Sequence, residues 1–131
     1  MFSTDLKVLI VDDMLTMRKI VTKSCRDLGF KNFVEAADGA LAWKTLNENP
    51  DVGLIISDWN MPNMSGLDFL KRVRADSKFA PLPFVLLTAE SELEQVKTAV
   101  AAGVDNYIVK PFTPSVLQQK LDQVYQKKNA A

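Results

Sequence analysis

The sequence of 131 residues contains no histidine, which removes the commonest general base and the commonest transition-metal ligand. Ser-His-Asp hydrolysis and histidine-based zinc chemistry are thereby unsupported. A single cysteine, Cys25, cannot close an intrachain disulfide. Glycine is sparse: Gly29, Gly39, Gly53, Gly66 and Gly103 stand singly, forming neither a phosphate-cradling loop nor a dinucleotide-binding turn. The chain is therefore not expected to bind a nucleotide of its own. Charge of one sign is not in excess, since Lys plus Arg and Asp plus Glu each number 16. That balance gives no general attraction to nucleic acid or to an anionic membrane, and neither is an expected partner. No apolar run approaches the roughly 20 residues of a membrane-spanning helix. The opening Met-Phe-Ser-Thr-Asp-Leu-Lys lacks the basic start and apolar core of a signal peptide. A cytoplasmic location follows as the expectation.

What is present is an ordinary globular composition, 47% hydrophobic and 24% charged, read as one domain spanning 1–131 with no output domain attached. Apolar runs at Lys7 to Val11, Leu54 to Ser57 and Phe84 to Leu87 have the look of strands buried on both faces. Tyr107 to Val109 is a weaker fourth, and Phe33 to Ala36 a shorter one nearer an edge. Between them lie stretches of helical period. Ser91 with Glu94 makes a capping box, Thr113 precedes a first-turn Pro114, and Gly29 and Gly103 sit where helices would stop. The last helix should run from Pro114 to about Lys128. Five β/α units with right-handed crossovers predict an α/β fold, a doubly wound five-stranded parallel sheet covered by helices on both faces.

The charged residues fall at one edge of that sheet. Asp12 and Asp13 follow the first strand, Asp58 the third, Thr88 the fourth and Lys110 the fifth. Carboxyl ends of strands are where open α/β sheets bind ligands, at the point where strand order reverses. Like-charged carboxylates at 4 Å repel by about 4 kcal/mol at an effective dielectric near 20. Three aspartates and one lysine leave a formal charge of about minus two, which one divalent cation neutralises. Oxygen-only ligands favour Mg²⁺, or Mn²⁺, over zinc or copper. A carboxylate beside a cation and a lysine can hold the metal or attack phosphorus. Asp58, alone on the central strand, is the candidate nucleophile, with Asp12 and Asp13 anchoring the ion.

The Val-Asp-Asp of 11 to 13, Ser-Asp-Trp-Asn-Met-Pro-Asn-Met of 57 to 64, Thr88-Ala89-Glu90 and Val109-Lys110-Pro111-Phe112-Thr113 resemble the response-regulator receiver family over nearly the whole chain. The similarity is greatest to its single-domain chemotaxis members. It implies a flavodoxin-like strand order 2-1-3-4-5. It also implies Asp58 as phosphoacceptor, with Mg²⁺ bound by Asp12, Asp13, Asp58 and the main-chain carbonyl of Asn60, Asp12 acting directly or through water. By the same resemblance Thr88 contacts the phosphoryl oxygens, Tyr107 swings inward behind it, and Lys110 pairs with the phosphoryl group. Pro111 follows a cis bond, and Asn60 and Glu90 set the rate of phosphoryl loss. The implied partners are a sensor histidine kinase, a flagellar motor switch protein and a dedicated phosphatase. The implied protein is a monomeric switch that catalyses only its own phosphorylation and dephosphorylation.

Departures from the enterobacterial pattern are Met14-Leu15 beside the acidic site, one residue inserted around Asn47 to Asp51, and acidic Glu92-Leu93-Glu94 where that pattern is more basic. They leave the chemistry in place and open the choice of partner to two circuits: motor control, or a phosphorelay intermediate or phosphate sink. An aspartate-nucleophile phosphohydrolase is the rival from another class, but it would carry a second acid where this chain has Asn60. Trp59 is expected to be partly exposed beside the site and Trp43 to be structural. Cys25, at helical spacing from Val21 and Leu28, reads as packing rather than redox chemistry.

Overall fold

The computed structural model describes residues 2–89 and 94–129. Strands β1 (Lys7–Val11), β2 (Asn32–Ala36), β3 (Val52–Asp58), β4 (Phe84–Ala89) and β5 (Asn106–Lys110) alternate with helices α1 (Leu15–Asp27), α2 (Gly39–Glu48), α3 (Gly66–Ala75), α4 (Val96–Ala101) and α5 (Pro114–Asn129). All strand pairs are parallel, in the order β2-β1-β3-β4-β5. Strand order reverses at β1, with β2 on one side of it and β3 on the other, and the mouth between β1 and β3 is the crevice where such sheets bind ligands.

The period-2 alternation of strand side chains divides the interior into two packed layers. Leu9, Val11, Ile55, Phe84 and Leu86 face α2, α3 and α4, meeting Leu46, Phe69, Leu70, Val73 and Ala99. Val8, Ile10, Leu54, Ile56, Val85, Leu87 and Ile108 face α1 and α5, meeting Val21, Cys25, Leu117, Leu121 and Val124. The central strands are apolar on both faces because both are covered.

Helix ends follow local chemistry. Asp38 and Ser65 cap α2 and α3 by accepting from the Leu41 and Asp68 amides, and Thr113 Oγ1 accepts from the Val116 amide at the start of α5. Gly29 and Gly103 adopt φ of 103° and 96° after α1 and α4, the left-handed turn that ends a helix. The expected capping residue Ser91 lies outside the described residues, as do Glu92 and Leu93. Strands β3, β4 and β5 extend one or two residues past the apolar runs that announce them, so that Asp58 and Lys110 are the last residues of their strands.

At the opposite edge, Arg74 at the end of α3 binds the carbonyls of Ala80, Leu82 and Gly103, and pairs with Asp105 at 2.9 Å. Asp105 also accepts from the Phe84 amide and from Lys128. This network joins the ends of α3, α4 and α5 to the starts of β4 and β5.

Candidate functional site

Alternation carried to the strand ends builds the site. Val8 and Ile10 lead to Asp12, Leu54 and Ile56 to Asp58, and Ile108 to Lys110, so these three side chains leave the sheet on its α1/α5 side. Phe84 and Leu86 lead to Thr88 on the other side, and Thr88 pairs across the ladder with Val109. The Asp12 amide donates to the Ala36 carbonyl at 3.2 Å, holding the residue beyond β1 in line with the sheet.

The side chains meet at the β1–β3 mouth. Lys110 Nζ lies 2.8 Å from Asp58 Oδ1 and 3.7 Å from Asp12 Oδ2. Ligand oxygens of Asp12, Asp13 and Asp58 all lie within 4.8 Å of one another. Asp12 and Asp58 are buried, whereas Asp13 is exposed. Burial pushes the Asp12 carboxyl above the usual carboxylate range; the Met14 amide, 2.9 Å from its Oδ1, opposes this, the Asp58 charge adds to it and Lys110 counters it. Among the described residues, the buried side-chain oxygens without a hydrogen-bonding partner are Asp12 Oδ2, Thr22 Oγ1 and Thr88 Oγ1. Asp12 Oδ2 belongs to this mouth, and Thr88 Oγ1 lies near the carboxyl end of β4, next to β3 in the sheet. A buried oxygen left unpaired costs about 1–3 kcal/mol.

The donor set fits a hard divalent cation. Carboxylate oxygens of Asp12, Asp13 and Asp58 within 4.8 Å of one another would hold such an ion by hard oxygen donors alone. Asn60 is exposed two residues after Asp58, on the loop leaving β3. Tyr107 is half-buried on the same face as Thr88, with the Lys120 ammonium 4.9 Å from its ring centre. The Lys110–Pro111 peptide is cis. Glu90 lies outside the described residues.

One sequence expectation is corrected. Trp59 is only 6% exposed and belongs to the α2–α4 layer. It continues the alternation of Ile55 and Ser57, and its carbonyl accepts from the Gly66 amide at 2.8 Å, turning the chain inward. Trp43 is structural, edge-on to Phe79 and covered by the Arg72 guanidinium. Cys25 is fully buried, and burial pushes its thiol up to about 12.

Other contributors were not visible from sequence. Arg18 donates to the Asp12 carbonyl at 2.6 Å while paired with Glu35, fixing the turn that presents Asp12 and Asp13. At Gly66 a Cβ would stand 2.1 Å from the Asp58 carbonyl, so only glycine lets α3 start beneath that residue. Helical spacing marks Arg18 as an ordinary surface cation, and a lone glycine carries no spacing signal at all.

A family model described as the response regulator receiver domain matches residues 8–122. Chemotaxis protein CheY1 of Helicobacter pylori is 49% identical over 119 residues, covering 91% of this chain and 96% of that protein. Chemotaxis protein CheY-3 of Vibrio cholerae is 48% identical over 123 residues, covering 94% of each. The solved structure of the chemotaxis response regulator CheY4 of Vibrio cholerae superposes with a TM-score of 0.82 at 37% identity, covering 92% of this chain and 98% of that one.

Proposed function

Because the chain belongs to the response regulator receiver family and is closely related to the CheY chemotaxis regulators, we propose that it is a phosphorylation switch in which Asp58 accepts a phosphoryl group from a phosphohistidine of a sensor kinase. The observation that carries this is the convergence of Asp12, Asp13 and Asp58 with Lys110 at 2.8 Å. A free Asp58 oxygen attacks phosphorus in line, the new O–P bond forming as the N–P bond breaks and its electron pair returns to the donor imidazole. Lys110 and the Thr88 hydroxyl hold the phosphoryl oxygens by charge and hydrogen bond. Asp12, Asp13, Asp58 and the Asn60 carbonyl would hold Mg²⁺, with Mn²⁺ as a substitute, and the ion neutralises charge that would otherwise repel the incoming group. Asn60 and Glu90 flank the approach of water and set the lifetime of the phosphorylated form, and Tyr107 couples Thr88 to the surface.

The switch acts in the cytoplasm, as a monomer, by docking to a partner, with no turnover of an outside metabolite. No helix among the described residues is long and apolar enough to cross a membrane. The chain covers 94–96% of the length of the CheY chemotaxis proteins it matches, which supports an output of the same kind as theirs. The proposed partner is the flagellar motor switch protein, with a phosphatase resetting the signal.

Incubation with Mg²⁺ and acetyl phosphate should add one acid-labile, hydroxylamine-sensitive phosphoryl group. Uptake by Asp58→Asn would refute the assignment. Phosphorylation-dependent binding to a switch-protein peptide supports the motor circuit, and its absence in a protein that is phosphorylated transfers the role to a phosphorelay.

A further inference from the structure

The loop after β3 carries Asn60 and returns the chain to α3, and two sets of contacts fix it. The inner set closes the loop on itself: the Gly66 amide donates to the Trp59 carbonyl at 2.8 Å, and the Met64 amide to the Pro62 carbonyl at 2.7 Å. The outer set comes from the start of α2, an element with no part in the acidic cluster. The Gly39 amide donates to the Met64 carbonyl at 3.0 Å, and Asn63 Nδ2 donates to Asp38 Oδ2 at 2.8 Å.

Asp38 is unusually committed for a capping residue. Only 6% exposed, it uses Oδ1 to accept from the Leu41 amide at 2.8 Å and Oδ2 to accept from Asn63. The Leu41 amide first and Asn63 second hold its carboxyl below the usual range, so it is ionised at neutral pH. Asn63 is the one non-glycine among the described residues with a positive φ, at 66°. A glycine would take that conformation with less strain, so the side chain there has a use. Its visible use is the bond to Asp38.

Closure by Gly66 alone would leave the loop free to rock about the end of β3. The clasp from α2 removes that freedom three residues from Asn60 and five from Asp58. We propose that Asp38 and Asn63 are positioning residues for the cation site, holding the loop that carries Asp58 and Asn60 in its cation-binding geometry. The inference rests on the reading of that site as a Mg²⁺ site. It makes the start of α2 a place from which affinity is set without any contact to the ion.

The test is Mg²⁺ titration of the full chain by calorimetry, paired with amide hydrogen exchange of residues 59–65 in the metal-free protein. Asp38→Asn keeps an oxygen to cap α2, but its amide group cannot accept from Asn63. It should bind Mg²⁺ roughly tenfold more weakly, the low end of what supporting residues of metal sites deliver, with faster exchange in the loop. Asn63→Ala should do the same with no change in charge. Asp38→Asn combined with Asn63→Asp reverses the direction of the hydrogen bond at constant charge and should restore affinity to within about twofold, as expected for a paired contact.

Wild-type affinity in both single variants would overturn the inference, whatever their stability toward urea. So would a double variant no better than the singles. Failure of the wild-type chain itself to bind Mg²⁺ would instead overturn the reading of the site, and the inference with it.

Discussion

Asp13→Asn tests the electrostatics of the site directly, because Asp13 is exposed and has no ion pair among the described residues. Its carboxylate lies within 4.8 Å of oxygens of both Asp12 and Asp58. At that separation two unit charges repel by about 0.9 kcal/mol in bulk water and about 3.5 kcal/mol at an effective dielectric of 20. Solvent screening of an exposed group puts each interaction near the lower figure. The Lys110 ammonium beside Asp58 and Asp12 offsets part of the two repulsions, so removing the charge should stabilise the metal-free protein by about 1 kcal/mol, or roughly 3–4 °C for a domain of this size. Cation binding reverses the ranking. Mg²⁺ at a hundred times its dissociation constant adds about 2.7 kcal/mol to the wild type. The variant, short of one ligand, gains less. Urea unfolding followed by far-ultraviolet circular dichroism, once in EDTA and once in Mg²⁺, should show the two curves exchange order. A variant no more stable than wild type in EDTA, or a ranking indifferent to Mg²⁺, would refute the reasoning.

Gly66→Ala should cost about 2–3 kcal/mol and lower the yield of phosphorylation, because the new methyl meets the Asp58 carbonyl and must displace it or α3; denaturation and acetyl phosphate labelling measure the two effects. Arg74→Met removes one of the two cations that face Asp105, Lys128 being the other, and the donor to three carbonyls; it should cost about 1–3 kcal/mol in urea titration while leaving Mg²⁺ affinity unchanged. Burial raises the Cys25 thiol from 9.0 to about 12, so the folded chain keeps a proton that the unfolded chain releases. Its contribution to stability is complete below pH 9 and falls by about 1.4 kcal/mol per pH unit above it. Cys25→Ala should show a correspondingly shallower decline between pH 9 and 11 in parallel urea titrations.

The pieces of this molecule that alternation and chain order determine were legible in its sequence. Asp12, Asp58 and Lys110 end apolar runs, and parallel strands gather such ends at one edge whatever the helices do. Trp59 departs from the expectation of exposure because the residue after a strand is normally free to leave the sheet, whereas here the Gly66 amide draws its carbonyl inward. Gly39 and Gly66 stand singly in the sequence because their purpose lies in close approaches by Met64 and Asp58 that no local pattern encodes. The Arg74–Asp105 pair joins residues 31 apart and the Asp38–Asn63 pair residues 25 apart. Single polar residues in loops carry no period, so only the fold reveals which of them meet.

The division of the interior by the sheet has a consequence for how such a protein changes over generations. The layer beneath α1 and α5 and the layer beneath α2, α3 and α4 share strand backbones but not side chains. A substitution that repacks one layer leaves the other's jigsaw untouched, and distant, unconnected sites add in their effects. Each helical face can therefore drift toward a new binding surface on its own, while the acidic mouth, anchored in the strands common to both, is inherited intact.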